Sequence, residues 1–182
     1  MGLSYMEKNC IETKVAQLLL EYGYNQDTDT YIDIVDFAQK WGFSVGNAFL
    51  PDREDGFIAI RPISRTEKPE KTIGVNINRP LYFKRFIIAH EFAHSILHYK
   101  NGEIFLHREN KKGKDDEEND ADYFAAALLM PEKSFSRTYH QYKSEKMAEN
   151  EIYLKLAEIY KAPLESVLRR ISEVNSIAHE SD

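Results

Sequence analysis

Residues 90 to 94 read HEFAH within the run RFIIAHEFAHSILHYK. On a helix, residues four apart share a face, so the imidazoles of His90 and His94 can grip one divalent ion. Glu91 is turned by about 100° and raised by about 1.5 Å, which lets its carboxylate reach a water on that ion without being a ligand. The spacing divides the labour into two ligands and one base. Ile87, Ile88, Ala89, Phe92 and Ala93 surround the three polar residues, and burying polar groups among them is costly unless each finds a partner.

A catalytic zinc takes three protein ligands and leaves its fourth position to water, so a third ligand is required. His98 continues the four-residue spacing, but it lies about 12 Å along the axis from His90 and no glycine follows His94 to turn the chain back. It reads as a helix-end residue. His107 and His140 stand alone in polar surroundings and read as surface residues. The segment EENDADYFAAALLMP offers Glu118 and Asp122, again four apart. Glu118 can bind the metal while Asp122 accepts a hydrogen bond from the free ring nitrogen of His90, fixing its tautomer. Spacing alone leaves Glu117 and Asp120 open; the alanine-rich face after Asp122, suited to close packing on the HEFAH helix, favours Glu118.

These side chains need elements to carry them. Ile11, Val15, Leu18, Leu19 and Tyr22 recur at helical spacing before Gly23, and Ile34, Phe37, Ala38 and Trp41 do so before Gly42, with Asp29 and Thr30 as candidate caps. Three segments then lose that period and gain β-branched and aromatic residues: FSVGNAF (43 to 49), GFIAIRP (56 to 62) and TIGVNIN (72 to 78). Turn-rich, charged linkers between them predict a three-stranded antiparallel sheet. Pro80 suits the first turn of a helix running from Leu81 to about Tyr99, apolar on nearly every side and therefore buried. The stretch from Lys100 to Asp120 reads as an exposed connection leading into a helix start. A packed helix then ends at Pro131, and further helical patterns follow near 133 to 142, from Ile152 to Tyr160 and from Leu164 to Val174.

A chain of 182 residues with 42% hydrophobic composition is long enough to bury a core. The opening MGLSYMEKNC lacks a basic start leading into an apolar run, and no apolar stretch approaches the roughly 18 residues that span a bilayer, which predicts a soluble, cytoplasmic protein. The single cysteine, Cys10, cannot form an internal disulfide and reads as a packing or surface residue. A formal net charge of −6 gives no footprint for nucleic acid.

In combination, RFIIAHEFAHSILH and ENDADYFAAALLMP resemble the ImmA/IrrE family of bacterial and phage metallopeptidases, whose hallmark is HExxH followed by a helix of the form ExxAN-x-FAA-x-LLMP. The likeness reaches upstream through IDIVDFAQKWGF and TIGVNIN, covering roughly residues 11 to 131. Asp122 stands where the family usually has Asn, and it preserves hydrogen-bond acceptance. The resemblance implies an α+β, zincin-like fold: N-terminal helices, the small sheet, a central HExxH helix packed on a second ligand helix, and C-terminal helices. It implies a peptidase core over 1–131 with a helical segment over 132–182. It further implies a zinc-dependent endopeptidase whose protein substrate is a helix-turn-helix repressor in a phage, mobile-element or stress switch. The tail LAEIYKAPLESVLRRISEV is similar to the family's own tail, but Lys161, Arg169 and Arg170 are balanced by Glu158, Glu165 and Glu173, which argues for packing or substrate docking over DNA. The rival reading is a zinc-stabilised regulatory binding protein that cuts nothing; Glu91 favours the enzyme, because a structural site needs ligands but no base.

Overall fold

The computed structural model describes residues 3–62, 68–100, 103–110 and 116–180. Linker residues 63–67, and residues 101–102 and 111–115 of the connection expected to be exposed, lie outside them. Among the described residues the order is α1 (Tyr5–Tyr22), α2 (Ile34–Lys40), β1 (Phe43–Ala48), β2 (Glu54–Arg61), β3 (Glu70–Asn76), α3 (Leu81–Leu97), β4 (Phe105–Asn110), α4 (Asp116–Leu129), α5 (Glu132–Ser144), α6 (Glu149–Tyr160) and α7 (Leu164–Glu180). None of these helices is long and apolar enough to cross a membrane. The chain divides into two compact units, Met1–Leu3 with Asp33–Ala125, and Ser4–Ile32 with Ala126–Asp182.

The fold is α+β, but the expected three-stranded antiparallel sheet is corrected to four strands in the order β1-β3-β2-β4. β1 pairs with β3 in parallel, and the remaining pairings, β3 with β2 and β2 with β4, are antiparallel. Periodicity assigns faces, not neighbours, and sequential strands need not be adjacent. The clue to β3's central position is Ile73-Gly74-Val75-Asn76, four consecutive buried residues, because a strand covered on both faces loses its alternation. β4 arises within the stretch read as an exposed connection.

In the first unit, α2 is capped by Asp33, whose side chain accepts from the Val35 and Asp36 amides, rather than by Asp29 or Thr30. That cap sets the direction of a short helix whose Phe37 and Trp41 rings meet Phe92, at 5.3 and 6.1 Å between centroids. Phe43 of β1 and Phe124 of α4 reach the same ring, so the phenylalanine of HEFAH fastens α3 to three elements at once. Every residue from Ile87 to His94 is buried, as an all-round apolar helix requires. β2 approaches α3 closely because position 56 has no side chain. A Cβ on Gly56 would collide with Ile87 Cγ2 and come within 3.4 Å of Glu91 Oε1.

In the second unit, α1 begins earlier than its apolar pattern, at a capping box in which Ser4 and Glu7 satisfy each other's backbone amides. It ends at Gly23 in the left-handed region, φ 97°. Arg170 of α7 is fully buried; it donates to the Met130 carbonyl at 3.0 Å and to Glu12 of α1 at 2.6 Å, so its charge is paired as burial demands.

Candidate metal centre

α3 and α4 bring four of the predicted residues together. His90 Nε2 lies 3.1 Å from His94 Nε2 and 3.2 Å from Glu118 Oε2, and His94 Nε2 lies 3.5 Å from Glu118 Oε1. One donor atom from each of the three falls within 4.8 Å of the others. Behind this group, His90 Nδ1 is 3.0 Å from Asp122 Oδ1. Neither Glu117 nor Asp120 belongs to the group.

Two residues expected at the periphery are in contact with it. His98 does end the helix, as its C-cap, yet its Nδ1 lies 3.0 Å from His94 Nδ1, so each ring of the HEFAH pair has a partner on its far nitrogen. His107 corrects the surface assignment: β4 turns it towards α3, its ring stacked on His94 at 3.8 Å. Its Nε2 is 2.9 Å from Glu118 Oε1 and its Nδ1 3.4 Å from Glu91 Oε2. His140 is exposed, as expected.

The hydrogen-bond logic tests whether a cation fits. When Asp122 accepts from His90 Nδ1–H and His98 accepts from His94 Nδ1–H, both Nε2 atoms present lone pairs to each other across 3.1 Å. That arrangement is repulsive unless a proton or metal lies between them. Two imidazole nitrogens and one carboxylate oxygen form a donor set suited to a borderline divalent ion. Glu91 is 0% exposed, and its Oε1 has no hydrogen-bond partner among the described residues. A buried carboxylate oxygen is costly in that condition unless water or an ion meets it.

Protein groups alone leave the site strongly polarised. Burial pulls His90 down, but its bonds to Asp122 and Glu118 outweigh that and raise it to about 10. Burial, then the neighbouring His90, lowers His94 to about 2. Burial also opposes His107, yet Glu118 and Glu91 lift it to about 9. Glu118 resists its own desolvation and is held well below the usual carboxylate range by His107 and His90. Glu91 is pushed up, chiefly by burial. The pair His90 and His94 therefore shares one proton, which a metal would displace.

A family model, Peptidase_M78, described as the IrrE N-terminal-like domain, matches residues 55–172, well over half the chain. No curated protein matches it.

Proposed function

The chain belongs to this ImmA/IrrE family of metallopeptidases, and from that premise we propose that it is a zinc-dependent endopeptidase, with His90, His94 and Glu118 as the metal ligands and Glu91 as general base. The observation that carries the reading is the convergence of His90 Nε2, His94 Nε2 and a Glu118 carboxylate oxygen beside the buried Glu91. Zinc, when bound, supplies Lewis-acid polarisation of a water and of the scissile carbonyl. Glu91 accepts the proton of the attacking water on its carboxylate and delivers it to the leaving amine nitrogen; its raised affinity for protons suits that exchange. Asp122 keeps His90 in the tautomer that leaves Nε2 unprotonated.

The substrate is a protein, as for any peptidase, and we assign it to the helix-turn-helix repressors of a phage, mobile-element or stress switch in the cytoplasm. An extended segment of it would add to β4, which ends the sheet order and carries a residue of the site. A purely structural zinc site has no use for a buried carboxylate with one oxygen uncommitted, which favours the enzyme over a zinc-stabilised binder. The test is to incubate repressors from the same genetic neighbourhood with wild type and Glu91→Ala and to map cleavage by mass spectrometry. A single cut present only with wild type supports the proposal, and intact repressor in both arms sinks it.

A further inference from the structure

Strand β4 contributes a histidine that neither HExxH nor the α4 motif contains. In its register with β2, His107 stands opposite Ile58, a fully buried residue, while the adjoining Leu106 is 59% exposed. Alternation thus sends His107 to the helix-covered face and Leu106 away from it. There the ring stacks on His94 and directs each of its nitrogens at a different carboxylate, Nε2 at Glu118 and Nδ1 at Glu91.

We infer that His107 is a positioning residue of the metal centre: from the edge strand it donates Nε2–H to Glu118 Oε1 and so holds the Glu118 carboxylate with its other oxygen turned to His90. The inference rests on the zinc-peptidase reading of the same site. The two contacts are unequal. At 2.9 Å the bond to Glu118 is a full hydrogen bond, whereas the 3.4 Å approach to Glu91 is at the long end of the range. Anchoring of Glu118 is therefore the dominant effect. Glu118 is on the first turn of α4, directly after residues 111–115, and its side chain is 20% exposed, against 2% and 1% for His90 and His94. Of the three donors it has the least packing to fix its rotamer, so a hydrogen bond from the sheet is where orientation is gained. Among the described residues β4 ends the sheet order, so this bond ties Glu118 to the terminal strand.

The test uses zinc alone as probe on the full chain, by chelator competition. His107→Phe keeps a ring against His94 but removes both nitrogens; zinc affinity should fall about 10- to 100-fold, the range for lost outer-sphere partners, while the far-UV circular dichroism of the zinc-stripped protein stays that of wild type. His107→Gln, whose amide N–H can still reach Glu118 Oε1, should recover most of the affinity. An affinity within twofold of wild type for His107→Phe overturns the inference. So does His107→Gln falling as far as His107→Phe, because an N–H donor restored towards Glu118 would then have recovered nothing. Wild type that binds zinc yet cuts no repressor removes the peptidase reading alone, because the His107 series still reads out in zinc affinity.

Discussion

His90 Nδ1 and Asp122 Oδ1 lie 3.0 Å apart, both buried, linking the HEFAH helix to the fourth helix. The carboxylate fixes which ring nitrogen carries the proton. Asp122→Ala should weaken zinc binding about 10- to 100-fold while the protein remains folded. Asp122→Asn should cost less, because the amide oxygen still accepts. Chelator competition checks both; equal losses would mean that Asp122 binds the metal rather than orienting a ligand.

Gly56 and Ile87 impose a packing limit next to the base. A methyl group at position 56 collides with Ile87 Cγ2, a short branched side chain that cannot swing clear. Gly56→Ala should destabilise the zinc-stripped protein by about 1–3 kcal/mol, as overpacking does, measured by denaturant unfolding. A cost below about 0.5 kcal/mol, the level of an ordinary surface change, would show that β2 and α3 are not held this closely.

The pH dependence of stability should change sign with zinc. His90 and His107 titrate near 10 and 9 in the folded protein, against a reference of 6.5. Their contribution is therefore complete below pH 6.5 and lost as pH rises towards 9 and 10, where the folded state still holds protons the unfolded chain has released. His94, lowered to about 2, acts oppositely and costs stability as pH falls below 6.5. Zinc-stripped protein should consequently melt at lower temperature at pH 9 than at pH 6.5. Zinc-loaded protein should gain over the same interval, because ligand nitrogens must be unprotonated and metal competes better as protons become scarce. Parallel melting trends in the two preparations would contradict this account of the site.

The helix carrying HEFAH was legible because its two constraints coincide: polar residues four apart, and apolar residues on every other side. The α4 group was legible by the same spacing. Sheet order was not, since nothing in FSVGNAF or GFIAIRP says that TIGVNIN lies between them; burial on both faces of Ile73 to Asn76 is a property of the assembled layers. His107 was missed for a related reason. In EIFLHREN the alternation of Phe105 and His107 inward with Leu106 outward spans three residues amid charge, too short for a period to register. Its apolar pair Phe105-Leu106 is the signal that a fourth strand was available. His98 was correctly read as a helix end, but spacing along the axis says nothing of a ring that folds back onto His94.

The sharpest separation of enzyme from binder is Glu91→Gln. The residue is 0% exposed, and its Oε1 has no partner among the described residues, so an amide of the same shape fits the same space. It lies outside the group of donors within 4.8 Å, so zinc content by elemental analysis should remain near one per chain. What the amide cannot do is take up the water's proton at neutral pH. Cleavage of the repressor should therefore vanish while zinc, fold and repressor affinity persist. If Glu91→Gln left the genetic response unchanged in cells, and a variant that cannot dock the repressor abolished it, cleavage would play no part and only the metal site of the proposal would stand.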